Sequence, residues 1–151
     1  MLREILHNLM STHPIDPTLQ QAFGLWKDAF LRRDLASLMA TYAPDAVMYD
    51  VKPPFQIRGL DNIRAVWEEA FSCFPPGITY SAIDEKIESS GDLAVMHRVQ
   101  RFDGAPAGHP MENLHIRLTV TLRREHGRWL VTHEHVSLPF NPETGIVVGT
   151  P

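Results

Sequence analysis

The tripeptide Pro75-Pro76-Gly77 divides this 151-residue chain into two parts with different hydrophobic periods. Before it, apolar residues recur at the three- and four-residue steps of helices. From Ile78 onward the pattern is that of strands. Helices first and strands afterwards specify an α+β domain. The packing that buries both sets is a curved, mostly antiparallel sheet with three N-terminal helices on its concave face. Such a cone leaves a pocket at its open end.

Within the helical part, Asp16 is placed to cap and Pro17 to occupy the first helical position, where a missing N–H costs nothing. Leu19, Ala22, Phe23, Trp26 and Phe30 then form one apolar face. Asp34 begins a shorter helix through "LASLMATYA", expected to stop near Pro44. "AVMYDV" reads as a short strand ended by Pro53 and Pro54. Asp61 opens the third helix, with Ile63, Val66, Trp67, Ala70 and Phe74 on one side. Turn signals follow at Ser90-Gly91-Asp92, between Gly104 and Pro110, and at Gly127. No repeat or linker interrupts the pattern. The expected organisation is an N-terminal extension (1–15), a single domain (16–140) and a C-terminal tail (141–151).

Several function classes are disfavoured. Lys and Arg number 14 against 18 Asp and Glu, a net charge of −4, and no basic stripe offers itself to phosphates, so nucleic acid is not an expected partner. The single cysteine, Cys73, excludes an intrachain disulfide and fits a reducing compartment. "MLREILHNLMSTHP" lacks the apolar core of a signal peptide, and no apolar run approaches the roughly 20 residues of a membrane span. A cytoplasmic protein without a membrane partner is expected.

The strands "LHIRLTVTLRR" and "GRWLVTHEHVSLPF" carry most of the polar side chains of interest. In the first, Leu114, Ile116, Leu118, Val120 and Leu122 face one way, and His115, Arg117, Thr119 and Thr121 the other. A three-residue loop, Glu125-His126-Gly127, pairs Leu118 with Glu134. Glu134 and Val136 then face the helices, while Trp129, His133, His135 and Ser137 face outward. A two-residue His126-Gly127 turn would exchange those faces. His97 shares parity with Leu93, Val95 and Val99, so it enters the pocket if those residues face the core.

Three stretches, "RRDLASLMATYAPDAVMYD", "IRGLDNIRAVWEEAF" and "GRWLVTHEHVSLP", resemble the SnoaL-like branch of the nuclear-transport-factor-2-like superfamily. That superfamily includes ketosteroid isomerases and the association domain of calcium/calmodulin-dependent kinase. The resemblance implies the cystatin-like, ketosteroid isomerase-like cone, a small-molecule ligand, no cofactor and a homodimer formed through the sheet. It places the isomerase base at Asp50, the carbonyl-polarising tyrosine at Trp26, and the protonated aspartate of the oxyanion hole at Leu118 or Thr119. Two of those three groups are changed, which argues against steroid isomerisation itself. Glu134 could replace the missing acid.

The candidate catalytic residues are therefore Asp50, Glu134 and His97, and the candidate ligand-binding residues Trp26, Tyr49, Phe55, Trp67, Leu118 and Val136. His115, Arg117, Thr119, Trp129, His133, His135 and Ser137 form an expected interface patch. Two imidazoles at the His133-x-His135 spacing can chelate an ion, but Arg117 in the same patch repels one, so no metal is expected. Two functions remain open. One is acid–base chemistry on an apolar, carbonyl-bearing ligand; the other is a non-catalytic binding or assembly module.

Overall fold

The computed structural model describes residues 14–151. All but the last two residues of the expected N-terminal extension lie outside them. Helix α1 spans Pro17–Arg32, α2 Leu35–Met39 and α3 Leu60–Cys73. The strands are β1 Tyr42–Tyr49, β2 Ile57–Arg58, β3 Thr79–Ser90, β4 Leu93–Asp103, β5 His115–Glu125 and β6 Arg128–Ser137. They form one curved six-stranded sheet in the order β2-β1-β6-β5-β4-β3. Only β1 against β6 is parallel, and the helices cover one face.

Local chemistry sets the helix ends. The Asp16 carboxylate accepts from the Thr18 backbone N–H at 2.8 Å and from its hydroxyl at 2.7 Å. These bonds hold the Asp16 carboxyl below the usual carboxylate range. At the other end of α1, Arg33 takes a left-handed φ of 52°. Its guanidinium donates to the carbonyls of Phe71, Phe74 and Pro75. One side chain thus ties the end of α1 to the end of α3 and to the Pro75-Pro76-Gly77 break. Helix α2 stops at Met39, earlier than its sequence pattern suggests, and Tyr42 and Ala43 are already strand and buried. Helix α3 begins from Gly59, with a φ of 78°, so Asp61 lies in its first turn instead of capping it.

The core joins Leu19, Phe30, Ile63 and Trp67 of the helices to Met96, Ile116, Leu118, Val120 and Leu122 of the sheet. The β5 alternation read from sequence is the one observed. The β5–β6 turn is not. His126 and Gly127 both have positive φ, 49° and 75°, and Glu125 pairs with Arg128 across a two-residue turn. This places Trp129 and Val131 on the helix side. The register then shifts between Thr121 and Leu122, where Thr132 is the extra residue of a β-bulge. The bulge restores the opposite phase, so Glu134 and Val136 face the helices while His133, His135 and Ser137 face away. Glu134 pairs with Val120, not Leu118.

Candidate functional site

The concave face holds a polar knot inside an aromatic shell. Trp26 of α1 stacks on Phe30 at 5.5 Å and meets Trp67 of α3 edge-on at 5.7 Å. Both indole N–H groups donate to the Tyr42 hydroxyl oxygen, from Trp67 at 3.1 Å and from Trp26 at 3.4 Å. Those two bonds occupy both lone pairs of the phenol oxygen, so its single proton points elsewhere. It goes to Oε2 of Glu134. Burial first, then the neighbouring carboxylate, keeps the Tyr42 phenol protonated well above its ordinary range.

Glu134 is 4% exposed. Burial pushes its carboxyl up to about 7; the Tyr42 hydrogen bond opposes that rise, the charge of Asp50 adds to it and Arg98 opposes it. Its proton is thus held to a much higher pH than that of an ordinary glutamate. Because Oε2 already accepts from Tyr42, the proton of the neutral acid belongs on Oε1, free to be donated to a ligand. The hollow beside it has a volume of about 220 Å³ and is lined by Trp26, Trp67, Leu118 and Val136, with Asp50 and Glu134 as its carboxyls among the described residues. We call it the α3 chamber. Asp50 is half-buried and follows β1 directly. Two carboxyl groups, one of them made to hold its proton to higher pH by burial, therefore face one apolar space, the arrangement in which one group can donate to an oxygen while the other takes a proton.

Four sequence-derived placements are overturned. Phe55 is fully exposed, in the bend after Pro53-Pro54, and lines no chamber. Tyr49, 36% exposed, packs on the convex face against the rings of His133 at 4.6 Å and His135 at 5.4 Å. His97 is exposed, because Ala94, Met96, Gln100 and Phe102 are the β4 residues that face the helices, and Leu93, Val95 and Val99 are not. Trp129 belongs to the inner face: it is 5% exposed and donates to the Thr18 hydroxyl at 3.0 Å. The two-residue turn is the reason.

On the convex face, Arg117 donates to the Ser137 hydroxyl at 3.1 Å, with Thr119 paired to His135 across the strands. The Nδ1 of His133 donates to the Val47 carbonyl at 2.8 Å, and that of His115 to the Asn113 carbonyl at 2.7 Å. Among the described residues no three His, Cys, Asp or Glu side chains converge on a possible ion position. Nor is any described helix long and apolar enough to cross a membrane.

The same inner parity of β4 that removes His97 brings in Arg98 and Gln100, absent from the sequence-derived site. Arg98 pairs with Glu85 at 2.7 Å, donates to the Gln100 amide oxygen and lies over the Tyr80 ring at 4.8 Å. The signal was available in "LAVMHRVQRF": its small and aromatic members, Ala94 and Phe102, share parity with Arg98.

A curved mixed sheet with helices on one face and an acid buried beneath them defines a nuclear-transport-factor-2-like α+β protein. A family model described as a SnoaL-like domain matches residues 19–141, and the chain belongs to that family. Its fold is similar to that of an NTF2-like protein of unknown function from Pseudomonas putida KT2440, with 30% identity and a TM-score of 0.77, covering 87% of this chain and 91% of that one. It is also similar to a protein from Shewanella frigidimarina provisionally named a ketosteroid isomerase, at 20% identity and a TM-score of 0.68 over 81% of this chain and 96% of that one. A third is a provisionally named calcium/calmodulin-dependent protein kinase type II association domain from Thiobacillus denitrificans, at 22% identity and 0.64 over 85% and 100%. The last two likenesses carry the fold alone. No curated protein matches the sequence.

Proposed function

We propose that the protein is a cofactor-independent acid–base enzyme acting on an apolar, carbonyl-bearing ligand held in the α3 chamber. Asp50 takes a proton from the carbon next to the carbonyl, and neutral Glu134 hydrogen-bonds the oxygen on which the electron pair collects. Asp50 then returns the proton to carbon, at the same or a conjugated position. The observation that carries this reading is Glu134: a buried carboxyl raised to about 7, with Tyr42 bound to one oxygen and the other left for a ligand. The single exposed thiol, Cys73, suits a reducing cytoplasmic setting.

The reading is tested with 2-octanone in D₂O. The wild-type protein is expected to exchange its α-hydrogens for deuterium faster than buffer does, by NMR. Binding of the ketone without faster exchange would leave a ligand-binding module instead of an enzyme.

A second subunit covering the convex face is the assembly we favour. The open cluster of Tyr49, His133 and His135, beside Arg117 and Ser137, supports a homodimer through the sheet. Light scattering is expected to give a dimer at micromolar concentration; a monomer contradicts it.

A further inference from the structure

Glu134 also borders a second hollow, which the acid–base reading leaves unused. This hairpin chamber, about 280 Å³, lies between α1 and the β5–β6 turn, with Ala22, Val131 and Trp129 in its wall. It shares Trp26, Leu118 and Glu134 with the α3 chamber, so the same acid borders both hollows. Taken singly, chambers of 280 and 220 Å³ fall below the roughly 300–1,000 Å³ of ordinary small-molecule sites; a ligand that passed Glu134 from one to the other would occupy a space inside that range.

The two ends differ in charge. Among the described residues, two arginines, Arg98 and Arg128, border the hairpin chamber, with Glu134 the only acidic residue there. Thr18, Gln21 and Thr41 add further polar groups. The Arg98 side chain is 8% exposed, and its Nε–H is the one buried side-chain polar atom among the described residues without a hydrogen-bond partner. Buried donors in native proteins are nearly always paired. Arg98 is among the residues bordering the chamber and its other two nitrogens already serve Glu85 and Gln100, so the enclosed Nε–H is the donor left for an acceptor that arrives with a ligand. The α3 chamber is mostly hydrocarbon and aromatic, with Asp50 and Lys52 its only formally charged residues besides Glu134 among those described.

We propose that the protein binds an elongated oxo acid, with its carboxylate in the hairpin chamber at Arg98, its ketone at Glu134 and its hydrocarbon end in the α3 chamber. This rests on the reading of Glu134 as donor to a ketone. Guanidinium–carboxylate bonds are about twice as strong as neutral ones, so the head group should be visible in affinity.

The test is calorimetric titration of the full chain with 4-, 5-, 6- and 7-oxododecanoic acids, their methyl esters and 2-octanone. At least one acid is expected to bind about tenfold or more tightly than its ester. That advantage should shrink to about twofold or less in Arg98→Met and in Ala22→Phe, which narrows the hairpin chamber, while 2-octanone affinity stays within about twofold in Ala22→Phe. Should Arg98→Met fail to fold, having lost Glu85 and Tyr80 as partners, Ala22→Phe decides. Acids that bind no better than their esters overturn the proposal, as does an advantage that survives Ala22→Phe. Failure of 2-octanone to bind the wild type strikes the Glu134 reading itself, and the oxo-acid inference falls with it.

Discussion

Asp50→Asn is expected to lower the α-hydrogen exchange of 2-octanone by a factor of about 10² to 10⁴, the usual contribution of a positioned general base. The side chain keeps its size and its place after β1, lining the α3 chamber, so the fold and ketone affinity should be unchanged. What asparagine loses is basicity: its amide cannot accept the α-proton near neutrality. Glu134→Gln should also slow exchange, for another reason. A glutamine amide still donates to the ketone oxygen, but it cannot match an acid poised near neutrality in stabilising the developing enolate. If Asp50→Asn retains wild-type exchange, Asp50 has no part in proton transfer.

Glu134→Gln should change the pH dependence of stability as well. In the unfolded chain the Glu134 carboxyl ionises near its ordinary 4.5; in the folded protein burial holds the proton until about 7. Between those values the native state binds more protons than the unfolded state, so this group's contribution to stability falls as pH rises. It is fully favourable below 4.5, fades between 4.5 and 7, and is lost above 7. A separation of this size corresponds to about 3 kcal/mol. Glutamine does not titrate and can still accept from Tyr42. Urea midpoints of the two proteins, measured from pH 4.5 to 8, should therefore diverge, with the glutamine protein gaining about 3 kcal/mol relative to wild type by pH 8. Parallel curves would mean that Glu134 ionises as it does in water.

Periodicity alone located the three helices and the inward residues of β5, because each pattern extends over several turns or pairs and a slip would expose a whole apolar face. The end of β1 and its aspartate were also legible, through the prolines that follow. Three features were not. The β5–β6 hairpin depends on His126 adopting positive φ, which a non-glycine residue does not advertise. The bulge at Thr132 breaks the two-residue period midway, so no uniform alternation describes β6. Glu134 nevertheless faces inward, through a shorter turn and a bulge that cancel, and Trp129, on the near side of that bulge, does not follow the pattern. In β4 the aliphatic residues Leu93, Val95 and Val99 occupy the convex face, while Arg98 and Gln100 lie beneath the helices. A hydrophobicity rule inverts such a strand. The Tyr42–Trp67–Trp26 network joins residues 16 to 25 positions apart in the chain, and only the packing of α1 and α3 on β1 creates it.

Everything proposed for the chemistry depends on one proton held at Glu134 in the absence of ligand. The direct measurement is a ¹³C NMR titration of the Glu134 side-chain carboxyl in selectively labelled protein, with Glu134→Gln for assignment. A midpoint near 7, displaced further upward in Tyr42→Phe, which loses the hydrogen bond that favours the carboxylate, is the expected result. A midpoint near 4.5 that Tyr42→Phe leaves in place would contradict it, because Glu134 would then be a charged carboxylate at neutral pH with nothing to donate.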